Sequence, residues 1–174
     1  MAKINEPTPV KLFTAMISQD TSLFDELSEK LTAIYGPVDM ESPTWPWDHT
    51  KYYEKEMGEG LKRKFIFFEK LVNPGIIADV KLKTDELEKQ HLYEQGGRQI
   101  NLDPGYLDEA KLVLASAKNF SHKIYLDHGI YGELTLYYAD NNYQSLPYTF
   151  SDYKSEKYLE VFRKARKLFR EQYR

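Results

Sequence analysis

Polar side chains that could bind an anion or move a proton recur along predicted strands in the second half of the chain. By strand alternation, Asn101 and Asp103 share one face of a strand, while Leu102 between them points to the core. The other candidates bracket the next strand or lie on the polar face of a hairpin: Lys111, Lys118, Lys123, Tyr125, Tyr131 and Glu133. If these faces are contiguous, one surface offers lysines, carboxylates and phenols to a single ligand.

Each of these residue types suits a different part of a phosphorylated ligand. The lysines would balance phosphate charge, and Asp103 and Glu133 would either hold a divalent ion or act as catalytic acid and base. Tyr125 or Tyr131 would stack on a ring or donate a hydrogen bond. The alternative is an ordinary solvated sheet face, on which Lys123 and Glu133 form a cross-strand pair worth less than ~1 kcal/mol. Our leading hypothesis is a site for a phosphorylated or nucleotide-like small ligand, with or without catalysis.

The stretch Asp103-Pro104-Gly105-Tyr106 offers a competing explanation for Asp103. Pro followed by Gly is typical of the two central positions of a type II turn, with Asp leading into it. On this interpretation Asp103 is a turn residue and has no ligand.

The elements that must position these residues follow a β-α-β-β-α-β order. Apolar alternation, helical spacing and Gly/Pro stops predict strands over residues 9–18, 38–41, 62–72 and 98–103, and helices over 22–35 and 73–95. This order predicts an α+β fold with a ferredoxin-like start and an insertion near residues 42–60. An appended strand, a β-hairpin and a closing C-terminal helix follow, and we predict a single domain over residues 1–174.

The hairpin is predicted around the three-residue loop Asp127-His128-Gly129. In that register Leu126 opposes Ile130, Ile124 opposes Gly132, and Lys123 opposes Glu133. Ile124 and Leu126 would then share the apolar face of the hairpin.

Several classes of function lack their sequence signatures. The chain has no cysteine, which excludes disulfides and thiolate chemistry, and its net charge of −3 favours no class of partner. The phosphate-binding pattern G-x-x-x-x-G-K-[ST], the dinucleotide pattern G-x-G-x-x-G and the G-x-S-x-G elbow are all missing. The four histidines show no H-x-x-x-H spacing, so we assign no metal ligands to them. Without a leader or an apolar run of about 20 residues, we expect a cytoplasmic protein with no membrane partner.

A rival hypothesis is a non-catalytic interaction module that docks a protein or RNA. Its contact would be either the loop that carries Trp45 and Trp47 or the polar side of the closing helix. That side carries six cations: Lys157, Arg163, Lys164, Arg166, Lys167 and Arg170. The alternative is a solvated helix face, so nucleic acid is the weaker expectation. The sequence predicts no oligomeric state.

Three segments together resemble a known family. They are NLDPGYLDEAKLVLASAKNFSHKIYLDHGIYGELTLYY, TFSDYKSEKYLEVFRKARKLF and KFIFFEKLVNPGIIADVKLKTDELE. The chain resembles the bacterial family known as domain of unknown function 4416 over nearly its whole length. The resemblance implies a bacterial protein without an established activity. Some members are described as GTP-binding, although the phosphate-loop motif is missing here.

Overall fold

The structure of the chain, a computed structural model, describes Met1 and residues 3–174. Within these residues it has a nine-stranded antiparallel sheet and four α-helices. The strands are β1 (Val10–Ser18), β2 (Val38–Glu41), β3 (Trp45–Pro46), β4 (Lys62–Val72), β5 (Ile100–Leu107), β6 (Lys111–Ser116), β7 (Ile124–Asp127), β8 (Ile130–Ala139) and β9 (Asn142–Ser145). The helices are α1 (Ser22–Tyr35), α2 (Glu54–Met57), α3 (Ile77–Lys89) and α4 (Glu156–Tyr173), with 3-10 turns at Pro74–Ile76 and Asp152–Lys154.

Helices cover both faces of the sheet. The strands run in the order β2-β4-β1-β5-β6-β8-β7, with β3 also paired to β4 and β9 to β8. One face of β1 packs, through Leu12 and Met16, in the cluster that contains α1 and α3. Its other face packs, through Phe13 and Ala15, in the cluster that contains α4. Because β1 is covered on both sides, all nine of its residues are buried.

The predicted mixed α+β class is confirmed, but the ferredoxin-like order of its start is not. A ferredoxin-like unit would stop at the four strands β2, β4, β1 and β5. Here Gly105–Leu107 of β5 pair with Leu112–Leu114 of β6, and the sheet continues into β8, β7 and β9. The appended strand and hairpin therefore extend the same sheet.

Asp103, Pro104, Gly105 and Tyr106 all lie inside β5, so the predicted turn is wrong. Leu102 turns its backbone N–H and C=O away from β1, and strand alternation turns the Pro104 nitrogen to the same side. Pairing with β6 begins only at Gly105, so the N–H that proline lacks leaves no ladder bond unmade. Gly105 is required by close packing, because a Cβ there would lie 2.5 Å from the Val113 carbonyl oxygen.

The predicted hairpin forms, with one change of register. Ile124 pairs with Gly132 as predicted, but a bulge at Leu126 places Asp127 opposite Ile130. The apolar side chains of Ile124 and Leu126 are not buried, because β7 is the last strand of the sheet and both side chains are exposed.

Candidate functional site

A cavity of about 740 Å³ opens where β5 and β6 diverge. The two strands pair only from Gly105 onward, and the cavity occupies the gap beside Asn101 and Asp103. Its walls come from both sides of the sheet, because they include Lys81 of α3 and Tyr153 from the segment before α4. This volume falls in the range of about 300–1,000 Å³ that is usual for small-molecule sites.

Helix α3 satisfies the backbone that the divergence leaves unpaired. Lys81 Nζ donates to the Leu102 carbonyl at 3.0 Å, and the Leu102 N–H donates to Glu88 Oε1 at 2.5 Å. Lys81 and Glu88 are seven residues apart, so both project from the same side of α3. Buried backbone groups without hydrogen-bond partners are costly, so the bonds to these two side chains stabilise β5 where it is not paired with β6.

The floor of the cavity is a chain of charged hydrogen bonds that ends at Asp103. Arg98 forms a two-bond fork with Glu56, at 2.6 and 3.0 Å, and its Nη1 donates to Glu88 Oε2 at 3.0 Å. The same Nη1 donates to Asn101 Oδ1 at 2.8 Å, and Asn101 Nδ2 donates to Asp103 Oδ2 at 2.7 Å. Asn101 is therefore held with its amide toward Asp103, which fixes the orientation of that carboxylate.

The Asp103 carboxylate contributes to raised pKa values of two neighbours, Lys81 and Tyr53. Burial alone would lower the pKa of Lys81, but Asp103, Glu88 and Asp85 outweigh burial and raise that pKa. Lys81 is therefore a buried cation at neutral pH, and its Nζ lies 2.7 Å from Asp85 Oδ1. Burial, reinforced by the charge of Asp103, also raises the pKa of the Tyr53 phenol, which stays a hydrogen-bond donor.

Glu133 supplies a buried carboxylate at the β8 side of the cavity. Its side chain is only 2% exposed, and its Oε2 lies 3.1 Å from His122 Nε2 and 3.4 Å from Lys123 Nζ. His122 is held by stacking on Tyr148 at 3.9 Å. Glu133 Oε1 has no hydrogen-bond partner among the described residues. A buried acceptor without a donor is costly, so this oxygen is suited to a donor group of a ligand.

Arg63 is a second buried ion at the wall, on β4. Its Nη2 lies 3.2 Å from Asp152 Oδ2, which also accepts from Trp47 Nε1 at 3.1 Å. Burial alone would lower the pKa of Arg63, but Tyr153, Tyr158 and Asp152 outweigh it and raise that pKa further. Within the described part of the chain, its Nε and Nη1 donate to no acceptor.

The mouth of the cavity is closed on one side by Lys118 and Tyr52. Lys118 Nζ donates to the Tyr52 hydroxyl at 2.9 Å and lies 4.8 Å from the centre of the Tyr52 ring. The bond from Lys118 lowers the pKa of the Tyr52 phenol. This contact ties the end of β6 to the loop before α2.

A family model matches residues 8–169 of the 174-residue chain, and its description is domain of unknown function, DUF4416. The chain belongs to this family. The resemblance that the sequence segments suggested is thereby confirmed. No curated protein and no solved structure matches the chain.

Over Met1 and residues 3–174, no three His, Asp or Glu side chains are grouped so that they could hold a metal ion. A divalent ion at Asp103 would therefore take most of its ligands from water or from a bound phosphate. None of the helices in the described residues has the length and apolar character of a membrane span.

The structure brings five of the eight predicted site residues to the cavity. These five are Asn101, Asp103, Lys118, Lys123 and Glu133. They come from β5, β8 and the segment that joins β6 to β7. These five side chains therefore line one cavity, and their role in binding a ligand is still a prediction.

The other three predicted residues, Lys111, Tyr125 and Tyr131, do not line the cavity. Lys111 lies at the far end of β6, about 16 Å of strand away from Ser116, and its Nζ pairs with Asp108 at 2.7 Å. Tyr125 lies on the edge strand β7 and packs against Tyr131 with ring centres 5.5 Å apart. The structure therefore does not bring these three side chains to the cavity beside Asp103.

Sequence reasoning missed the charged residues of the cavity walls. Arg63 shares strand alternation with Phe65 and Phe67, so a cation on an apolar face was visible in the sequence. Lys81 and Glu88 flank the apolar stripe of α3, where charge is unusual. No sequence signal linked Asp152 to Arg63, which is 89 residues away along the chain.

The two tryptophans do not project from a loop. Trp47 is buried, and Trp45 is half-buried with its ring centre 5.3 Å from that of Tyr158 on α4. Both rings therefore hold the insertion against the sheet and α4.

Proposed function

We propose that this family member binds a phosphorylated or nucleotide-like small molecule in the cavity between β5 and β6. The observation that carries the proposal is the convergence of Asp103, Lys118 and Glu133, from three separate segments, on one cavity of small-molecule size. The unpartnered Glu133 Oε1 supports it, because an occupant with a donor group would satisfy this oxygen.

The cavity walls divide into cations and carboxylates with different tasks. Lys118 and Lys89 lie at exposed or mouth positions and would bind the phosphate. Asp103 and Glu133 would accept hydrogen bonds from the rest of the ligand and are the candidates for acid and base in any reaction. Arg98 would keep Asp103 oriented through Asn101, whereas Lys81 is already engaged by Asp85.

Three finer points belong to the same proposal. We propose a ferredoxin-like unit for β1, α1, β2, β4, α3 and β5, because its four strands lie in the order β2-β4-β1-β5. We retain the cytoplasm as the expected compartment. We also retain a divalent ion as a cofactor that would arrive with the phosphate.

A second candidate function is docking of RNA or protein by α4. Five cations line a surface depression beside this helix: Arg163, Arg166, Lys167, Arg170 and Arg174. Several of them are already engaged, since Arg170 lies 3.0 Å from Glu109 and the guanidinium of Arg166 stacks 3.5 Å from the Tyr138 ring. The small-molecule function is therefore the better supported of the two.

A thermal-shift screen of nucleotides, sugar phosphates and divalent ions tests the proposal. A ligand at 100 times its dissociation constant adds about 2.7 kcal/mol, which raises the melting temperature of a chain of this size by about 5–10 °C. Asp103→Asn should abolish the shift because it removes the central carboxylate charge. Lys111→Ala, which lies outside the cavity, is the matched control and should keep it.

The screen can also reject the proposal. A shift that survives in Asp103→Asn would place the ligand elsewhere. If no compound gives a shift and a single-stranded RNA binds with an affinity that falls steeply with salt, the α4 surface is the functional one.

A further inference from the structure

We propose that the mouth of the cavity is an aromatic clamp for a nucleobase, formed by Tyr52 and Phe150, with the nucleotide phosphate on Lys118. This inference rests on the proposed function and narrows its ligand from phosphorylated compounds in general to nucleotides. The clamp residues come from two separate segments that line the cavity, the loop before α2 and the segment before α4.

An aromatic series leads from the interior of the cavity to Tyr52. The rings of Trp47 and Tyr53 are 5.4 Å apart, and those of Tyr53 and Tyr52 are 5.0 Å apart at 88°. Trp47 is buried, Tyr53 is half-buried and Tyr52 is 64% exposed. The edge-on contact with Tyr53 fixes the plane of the Tyr52 ring, so this ring is a supported platform.

Phe150 is the second ring of the mouth. It is 60% exposed, although it lies only two residues from the buried Asp152 that binds Arg63. The segment is held there by Asp152 and Tyr153, and Phe150 lines the cavity without being packed in it. Two large exposed rings on one cavity mouth present the flat surfaces on which a base stacks.

Lys118 makes the clamp suited to a nucleotide rather than to an uncharged ring. Its ammonium lies 4.8 Å from the centre of the Tyr52 ring, so a base on the clamp brings its 5′-phosphate within reach of a cation. Lys89 also lines the cavity and is exposed. Sugar phosphates lack the base and would use only the lysines.

The test compares ribonucleoside 5′-monophosphates, the matching nucleosides and ribose 5-phosphate by isothermal titration calorimetry. Removal of one stacking ring, as in Tyr52→Ala or Phe150→Ala, should weaken nucleotide binding by about 5- to 150-fold. The chain offers matched controls for both: Tyr125 is 57% exposed and Phe120 is 66% exposed, and neither lines the cavity. Tyr125→Ala and Phe120→Ala should leave the affinity unchanged.

Tyr52→Phe distinguishes the contribution of the Tyr52 ring to binding from that of its hydroxyl. This variant keeps the stacking surface and should bind nucleotides far better than Tyr52→Ala. Without ligand, the melting temperatures of the five Tyr and Phe variants should agree closely with that of the wild type, because these side chains are exposed. Lys118→Ala should weaken nucleotides and ribose 5-phosphate but not nucleosides.

The outcomes distinguish this inference from the proposed function. Ribose 5-phosphate binding as tightly as the nucleotides, or full affinity in Tyr52→Ala and Phe150→Ala, would overturn the clamp and leave the cavity as a phosphate site. Failure of every phosphorylated compound to bind would overturn both.

Discussion

The buried ion pair of Arg63 and Asp152 gives the sharpest prediction about stability. Arg63 is 3% exposed, and its bond to Asp152 is the one hydrogen bond that its guanidinium makes within the described residues. Asp152→Ala therefore leaves a buried cation without an acceptor, which typically costs about 3–5 kcal/mol. For a chain of this length, that loss lowers the melting temperature by about 6–20 °C.

Removal of Arg63 and removal of Asp152 should not cost the same free energy of unfolding. Without Arg63, Asp152 still accepts from Trp47 Nε1 and from the Tyr153 N–H at 2.9 Å. Arg63→Met should therefore cost less than Asp152→Ala. The double variant Arg63→Met/Asp152→Ala removes both charges, so it should lose only about 1–2 kcal/mol, mainly for the unpaired Trp47 donor.

Urea unfolding followed by circular dichroism measures all four free energies of unfolding. Tryptophan fluorescence is a poor probe here, because Trp47 contacts the mutated carboxylate. A loss below about 1 kcal/mol in Asp152→Ala, as for a surface ion pair, would refute the reasoning. So would a double variant whose loss equals the sum of the two single losses.

Two further predictions follow from buried positions. Gly105→Ala would place a Cβ 2.5 Å from the Val113 carbonyl oxygen and should lower the free energy of unfolding in urea by about 1–3 kcal/mol. Gly132→Ala is the control and should lower it less, because its Cβ would lie 3.4 Å from the exposed Leu126 side chain. Burial lowers the pKa of Lys11 from 10.5, despite its bond to Asp39, so the folded state holds this proton less tightly than the unfolded state. As pH rises from the lowered pKa towards 10.5, the wild type should gain stability relative to Lys11→Met, and a constant or falling difference would contradict this.

Local patterns determined the helices and the fold class. The spacing of Leu23, Phe24, Leu27 and Leu31 predicted α1, and all four are buried in it. Asn followed by Pro, as at Asn73-Pro74, is typical of a helix start, and the Asn73 Oδ1 accepts from the Gly75 N–H at 2.8 Å. Such signals act between residues that are close along the chain, so a single sequence contains them.

The same local signals misled where tertiary contacts overrode them. Pro104-Gly105 is typical of a turn, yet β5 runs straight through it. The proline is tolerated because its nitrogen faces the side of β5 where pairing with β6 has not yet begun, and the glycine is needed because β6 and Phe13 come close. Neither condition is visible without knowing which strand lies beside which.

The sequence by itself determined which polar residues could take part in a site, and alternation placed Asn101 and Asp103 on one strand face. Only the tertiary structure decided which of them meet. The divergence of β5 from β6 admits Lys118, Lys123 and Glu133 and leaves Lys111 at the other end of β6. It also brings in Arg63, Glu88 and Asp152, whose partners lie 10 to 105 residues away along the chain. Pairings over such separations depend on the packing of whole strands and helices, which no local pattern encodes.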